Sequence, residues 1–354
     1  MKFKSLIHYL NPARFATLKY QAVLIILSSL ICVRWFHQKA TGFFSTDPRP
    51  QFKVLTPDSV RKFLGSSIGT KVEAGIHIEN FQEFDMRHGL FTVDTIVWFR
   101  FNPSVISLET IDKFSFDKGK IEKKSKPKTK LINGVMLARY DVRVKFSSNL
   151  NYRLFPFNDH RIFITLINKQ VSPGELVFDS YESDLSLSQN MRISGWQKAN
   201  HAVETGYSEA LLDRHDPTTK VFHPVVIFSI DFDRTGARDA FILLLPLFLV
   251  LYLSFIGLTF PYEYYKTRIS ISTANIAALI SYRFVIENAA PKVGYFMLTD
   301  HIFNIFLTLC FVIFFINILL RKPGMEKIRG ISLILLHIIQ LSGVYYLVTY
   351  WMAT

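Results

Sequence analysis

The sequence predicts a multi-domain membrane protein in which a β-sandwich precedes a bundle of four transmembrane helices, with a further transmembrane helix near the N-terminus. Three observations predict this architecture. A positive mean hydropathy of +0.22 accompanies 19% charged residues, so the apolar residues are segregated along the chain. Four segments in the last third reach the roughly 20 apolar residues that a membrane-crossing helix needs. The long stretch before them is polar and carries short alternating runs.

The first apolar segment, 20–33, is shorter and follows several basic residues. Its length also fits the apolar region of a cleaved signal peptide, which runs roughly 7–15 residues. No small-residue cleavage site follows, because the segment runs directly into "RWFH" at 34–37. Trp and Arg at such a boundary are typical of interfacial anchors. We therefore expect residues 1–40 to form a basic cytoplasmic tail and an uncleaved signal-anchor helix.

The polar stretch 41–236 has the pattern of a β-rich domain. Runs enriched in β-branched and aromatic residues, with partial alternation of apolar and polar positions, are separated by Gly, Pro, Asn and Asp clusters. These runs lie at 91–101, 138–148, 161–168 and 221–233. Several short strands with turns between them predict a β-sandwich.

Residues 237–354 carry the four long apolar segments, at 240–260, 269–290, 302–320 and 331–351. The connections "PYEYYKTR" and "RKPGMEKIRG" are basic, whereas "NAAPKVGYFMLTD" carries one lysine. Basic loops remain on the cytoplasmic side, so we expect 41–236 to lie outside the membrane.

Several classes of protein are not expected from this sequence. Much of the net charge of +13 lies beside apolar segments or in one lysine-rich run, which does not favour nucleic-acid binding. Both cysteines, Cys32 and Cys310, fall in apolar segments, so no disulfide framework is expected. No H-E-x-x-H, G-x-G-x-x-G or phosphate-binding loop is present. We therefore expect no enzyme, no cofactor and no metal.

Histidines of the polar domain show no metal-ligand spacing, and surface or core positions are the ordinary interpretation. They are His160, His201, His215 and His223. Because histidine titrates near neutrality, the same residues are candidates for pH dependence.

The segment 269–290 is unusual for a lipid-facing helix, because small and polar residues recur on it at three- and four-residue steps. These are Ser270, Ala274, Ala277, Ser281 and Asn288, with Phe284 interrupting the run. One interpretation is close packing between helices. The other is a wall that faces water in an oligomeric pore, which Arg283 and Glu287 favour because charges in a membrane seldom face lipid. These two residues could also pair with each other.

The run "RISISTANIAALISYRFVIENAAPKVGYFMLTDHIF" (268–303) resembles the pore-lining helix, loop and third-helix start of pentameric ligand-gated ion channels, the Cys-loop receptor superfamily. Within it, "PKVGYFMLTD" is particularly similar to the linker between the second and third helices. Pro246 matches the proline of the first helix, and Arg234 matches a basic residue at the domain junction. The likeness runs in order over 140–354.

The stretch "FPFND" (155–159) is similar to the family's Phe-Pro-x-Asp signature, with Asn158 in place of the aspartate. Ser148 and Ile162 stand where the flanking cysteines are, as in prokaryotic-type members. The likeness is looser over 70–140, and the N-terminal helix lies outside it.

The resemblance implies a homopentamer in the plasma membrane or the bacterial inner membrane, in contact with membrane lipids. It would conduct inorganic ions when a small-molecule ligand or protons act on the outer domain. The pore face would be Ser270, Ala274, Ala277, Ser281, Phe284 and Asn288. The gating interface would be Phe155, Pro156, Phe157, Asn158, Arg234, Pro291, Lys292 and Tyr295. The ligand-site candidates are Trp98, Phe99, Trp196 and Tyr207.

The chain departs from the family pattern at functional positions. Ala277 stands where a large aliphatic gate residue is usual, so a dewetting gate would form elsewhere, with Phe284 as the candidate. Lys266 and Arg268 occupy the cytoplasmic mouth and favour anions, although Glu263 could compensate. The aromatic ligand box is not clearly filled. The alternative function is a non-conducting receptor or scaffold that keeps the channel architecture.

Overall fold

A computed structural model describes residues 12–40, 43–54, 70–212, 215–216, 219–235 and 238–351. The chain divides into two compact units. The strand unit comprises Phe43–Asn151 and Asp159–Thr235. The helical unit comprises Met1–Gly42, Tyr152–Asn158 and Gly236–Thr354. The N-terminal helix and a short loop from the polar stretch therefore belong with the C-terminal helices.

The α-helices of the described residues are numbered in chain order. They are α1 (Leu18–Ala40), α2 (Leu108–Asp112), α3 (Arg238–Gly257), α4 (Tyr265–Ala289), α5 (Leu298–Leu319) and α6 (Glu326–Tyr346). All except the short α2 lie in the helical unit.

The strands all lie in the strand unit. They are β1 (Lys53–Val54), β2 (Thr70–Asp85), β3 (Leu90–Phe101), β4 (Phe114–Asp117), β5 (Gly119–Lys124), β6 (Lys128–Ile132), β7 (Val135–Ser147), β8 (His160–Asn168), β9 (Leu176–Asp179), β10 (Leu185–Leu187), β11 (Trp196–Leu211) and β12 (Lys220–Arg234). The four predicted strand-like runs coincide with β3, β7, β8 and β12.

The strands form one curved, half-barrel sheet and not the two separate sheets of the predicted sandwich. Its hydrogen-bonded order is β1-β11-β12-β8-β4-β5-β7-β3-β2-β10, with β6 on β7 and β9 on β2. The short strands β4 and β5 pair with each other and with β8 and β7, so the path is never broken. The prediction of a strand-rich domain is confirmed, and the prediction of two separate sheets is wrong.

The core of the strand unit is aromatic. Strand β2 contributes Phe81 and Phe84, whose rings lie 5.8 and 4.9 Å from the ring of Phe232 on β12. These contacts join distant parts of the sheet path, because the strand order places β2 and β12 near opposite ends of it. Phe232 is fully buried, whereas Phe81 and Phe84 are half-buried, and aromatic contacts of this kind stabilise a core.

In the helical unit, α4 packs on α3 and α5, and α1 packs on α6 and α3. At Gly330 on α6, an added Cβ would lie 1.7 Å from the carbonyl oxygen of Pro12. Only glycine permits this approach of two backbones. The segment that leads into α1 is thus seated against α6.

Five helices of the described chain, α1 and α3 to α6 with short extensions, are long and apolar enough to cross a membrane. They indicate a membrane protein, as the sequence predicted.

Candidate functional site

The predicted pore face of α4 points away from the rest of its own chain. All of its members are exposed: Ser270, Ala274, Ala277, Ser281, Phe284 and Asn288. Phe284 is the most prominent large side chain of the helix, at 66% exposed. The exposed surface of α4 includes the predicted pore face and extends beyond it, to Ile280 and Val285 among others.

The opposite face of α4 is also polar, but it is buried. The side-chain amide of Asn275 donates to Ser254 Oγ on α3 at 2.8 Å. The amide of Asn317 on α5 donates to Ser272 Oγ at 2.7 Å. Polar groups buried among helices are stabilised when they are hydrogen-bonded, so these contacts fix α4 between α3 and α5.

Arg268 does not lie at an exposed mouth, and that prediction is wrong. Its side chain is fully buried, and Nη2 donates to the carbonyls of Asn317 at 3.3 Å and Leu320 at 2.9 Å. The last carbonyls of a helix lack partners within the helix and form the negative end of its dipole, so they attract a cation. Lys266 and Glu263 are exposed, as predicted residues of a mouth should be.

Residues 152–158, the loop tip, form a tight turn with a mostly buried surface. Phe155 N donates to the carbonyl of Tyr152 at 2.9 Å, and Phe157 N donates to that of Leu154 at 2.8 Å. The peptide bond before Pro156 is cis. Two backbone hydrogen bonds within seven residues give the loop tip a defined shape without a disulfide.

The loop tip is bonded to the linker, residues 290–297, and to the start of α5. Leu298 N donates to the carbonyl of Arg153 at 2.7 Å, and the hydroxyl of Tyr295 accepts from Tyr152 N at 2.9 Å. The Arg153 guanidinium lies 5.9 Å from the centre of the Tyr295 ring. The structure thus brings together two parts of the predicted gating interface, the loop tip and Tyr295.

A charged cluster joins the end of α4 to the start of α5. The Arg283 guanidinium donates to Glu287 at 3.0 Å and also to Asp300. Asp300 in turn accepts from Met297 N at 2.7 Å, as an acidic residue in a first helical turn commonly does. The pairing of Arg283 with Glu287, one of two possibilities left open by the sequence, is present. Asp300 was missed, although its position at a helix start was a usable signal.

Beside this cluster is a cavity of about 670 Å³. It is lined by Arg283 and Glu287 of α4, by Asp300 and by the linker. Of the predicted linker residues, Pro291 is buried, whereas Lys292 is exposed. The cavity therefore offers both charges and apolar surface next to the loop tip.

The N-terminal helix contacts the loop tip, which sequence reasoning did not anticipate. The Phe36 ring of α1 stacks on Phe157 with centroids 5.2 Å apart and planes at 8°. Trp35, also on α1, contacts Tyr345 of α6, with ring centroids 5.3 Å apart. The remaining predicted residue of the loop tip, Asn158, is buried.

The predicted junction residue Arg234 ends β12 in the strand unit. Its backbone N–H donates to Asp159 at 3.0 Å, and its guanidinium lies 5.3 Å from the ring centre of Trp196. Trp196 is thus a partner of Arg234 rather than a free ligand contact.

The other ligand-site candidates do not gather into one aromatic box. Phe99 is fully buried among Phe114 and other core rings, so the prediction that it contacts a ligand is wrong. Tyr207 is also buried, with its ring 5.8 Å from Phe222. Trp98 lies against Gly75, where an added Cβ would meet its ring at 2.3 Å.

A group of acidic residues gathers where β8 begins and β12 ends. Burial raises the pKa of Asp159, although its carboxylate accepts from the backbone N–H groups of Arg234 and Phe44. Burial and repulsion from Asp159 and Asp231 raise the pKa of Asp233. These carboxyl groups are therefore easier to protonate than ordinary aspartates.

His160 lies in the same region and is 1% exposed. Its Nδ1 is 3.1 Å from a carboxylate oxygen of Asp47, which is equally buried. Of the histidines that the sequence suggested for pH dependence, this one has a fixed acidic partner.

No protein-family model matches the chain, and no curated protein matches it either.

Proposed function

We propose that the protein is a pentameric ligand-gated ion channel, in which a strand-rich outer domain controls a pore lined by α4. In this proposal α3 to α6 form a four-helix transmembrane bundle, and α1 is an additional membrane helix. The chain resembles the family at the pore helix, at the linker and at the loop tip.

The observation that carries the proposal is the exposed face of α4, whose small residues are interspersed with the polar side chains of Ser270, Ser281 and Asn288. A membrane helix pays a free-energy cost for polar side chains that face lipid, so such a face requires water or another chain. A ring of five α4 helices supplies both. Lys266 and Glu263 then remain at the mouth without Arg268, so the case for anion selectivity is weaker than the sequence suggested.

The contacts of the loop tip support a connection from this loop to the pore helix within the helical unit. The loop tip is bonded to Tyr295 in the linker and to Leu298 at the start of α5. Displacement of the loop tip would therefore move the linker and, through Arg283 and Asp300, the end of α4. Protons are a candidate stimulus because Asp159 and Asp233 are poised for protonation.

The experiment is to reconstitute the full chain, measure its oligomeric mass and record currents during pH steps. We expect pentamers and a current that changes with pH. Ala277→Leu should alter the conductance or the resting leak, whereas Ala278→Leu, also exposed but off the predicted pore face, is the matched control. Pentamers that never conduct, with Ala277→Leu silent, would favour a non-conducting receptor. Absence of pentamers would contradict the proposal.

A further inference from the structure

An apolar cavity of about 410 Å³ lies inside the helical unit, between α1 and α3. Phe157 of the loop tip is part of its lining. On α1 the lining runs from Ile25 to His37, and on α3 it runs from Ala240 to Tyr252. The surface is almost entirely hydrocarbon, so a polar ligand would find few partners there.

The length and position of the cavity match one leaflet of a bilayer. Twelve residue steps along α1, from Ile25 to His37, span about 18 Å at 1.5 Å per residue. Half of a hydrocarbon core is roughly 15 Å. On the 23-residue α1 the lining runs from the eighth residue to the twentieth, and on the 20-residue α3 it runs from the third residue to the fifteenth. It therefore lies mainly in the leaflet at the C-terminal end of α1 and extends past the middle of both helices.

The same end of α1 carries two cationic or titratable groups. Arg34 and His37 are exposed and lie one helical turn apart. Within the described chain neither has an acidic partner. His37 also lines the cavity. Trp35 beside them is a residue type that prefers the headgroup region. A phosphate at this position would have both groups within reach while its hydrocarbon entered the cavity.

We propose that one acyl chain of a phospholipid in this leaflet occupies the cavity, with the lipid phosphate against Arg34 and His37. The occupant is a lipid because the walls are apolar, the length is that of a leaflet and the cationic groups stand at the headgroup end. Through Phe157 the lipid touches the loop tip directly. The binding itself does not depend on channel activity.

The test counts phospholipid retained by the full chain after reconstitution in phosphatidylcholine and phosphatidylglycerol vesicles and extraction in mild detergent. Val33→Trp and Leu249→Trp place an indole in the cavity from either wall. Leu30→Trp and Leu253→Trp are matched controls, since both residues are similarly exposed on the same helices but do not line the cavity. We expect the two filling variants to lose about one phospholipid per chain relative to the controls.

Equal retention in all four variants would overturn the proposal. Unchanged lipid with altered oligomeric mass would also overturn it, because a second copy of the chain would then cover the cavity. If a filling variant fails to fold, the unaltered protein is crosslinked with a phospholipid that carries a photoreactive group on its acyl chain. Adducts on 25–37 and 240–252 support the proposal, and adducts confined to other helices contradict it.

Discussion

The two faces of α4 both carry polar side chains, yet they differ in where those side chains find partners. On the buried face, Ser272 and Asn275 bond to α5 and α3 of the same chain. On the exposed face, Ser270 and Ser281 are left uncovered by the part of the chain that the structure describes. Hydrogen bonding within the chain stabilises the first face, whereas the second requires water or another subunit. A polar stripe alone therefore does not distinguish a helix interface from a pore.

The largest expected effect is that of Arg268→Ala. It removes a buried guanidinium that donates to two carbonyls at the end of α5, and hydrogen bonds to charged groups contribute about 1.5–3 kcal/mol each. We expect a marked loss of thermal stability, measured by the temperature at which folded oligomer disappears from size-exclusion profiles. Lys266→Ala, exposed two residues earlier, is the control and should leave stability unchanged. Equal stability of the two variants would contradict the claim that bonds on the buried face of α4 stabilise the fold more than its exposed residues do.

The same substitution on each face sharpens the comparison. Ser272→Ala deprives the Asn317 amide of its acceptor, and an unsatisfied buried polar group costs about 1–3 kcal/mol. Ser270→Ala should stay within about 0.5 kcal/mol, as surface substitutions usually do. Thermal unfolding of the detergent-solubilised protein measures both. A larger loss for Ser270→Ala would reverse the assignment of the faces.

The exposed face of α4 could be predicted because its residues recur at helical spacing. The error at Arg268 has a physical origin in the same periodicity. Arg268, Ser272 and Asn275 also recur at four- and three-residue steps, so the sequence contains two polar faces. Their partners, Ser254 and Asn317, lie on other helices, and no local pattern identifies them.

The strand unit shows a similar limit. Strongly alternating runs located β3, β7, β8 and β12, because β-branched and aromatic residues favour strands. The long strands β2 and β11 were missed, since their alternation is interrupted by charged and small residues. Whether the strands form one sheet or two depends on β4 and β5, which are too short to recognise from sequence. The stacking of Phe36 on Phe157 likewise joins segments far apart in the chain.

A smaller effect is expected in the linker that follows α4, which belongs to neither face of the helix. Tyr295→Phe removes the hydroxyl that accepts from Tyr152 N, and a neutral hydrogen bond contributes about 1 kcal/mol. We expect a modest fall in thermal stability and, if the proposed function is right, a shift in the stimulus needed for opening. Tyr345→Phe on α6 is the matched control. No difference between the two would show that the bond to the loop tip is energetically unimportant.

The smallest effect concerns the strand unit, where the buried Oδ1 of Asp233 accepts no hydrogen bond from the described residues. Asp233 has a raised pKa, so its folded form binds a proton more tightly than the unfolded chain does. The stability that protonation supplies is complete below the ordinary aspartate pKa and is lost as pH rises through the raised value. Asp233→Asn should therefore be more stable than the parent at pH about 7, with a gain that shrinks toward pH about 4. Melting curves across this range, with half-buried Asp117→Asn as control, measure it. A gain in stability that does not change with pH would contradict the raised pKa of Asp233.

The bonds of the loop tip have a consequence for the synthesis of the chain. Tyr152 and Arg153 are held by Tyr295 and Leu298, which the ribosome adds more than a hundred residues later. At a synthesis rate of about 5–20 residues per second, these partners follow the loop tip by on the order of ten seconds. During that interval the backbone N–H of Tyr152 and the carbonyl of Arg153 lack these two partners, even if Phe157 already stacks on Phe36. Synthesis of the linker and α5 is thus the event that completes the hydrogen bonding of the loop tip.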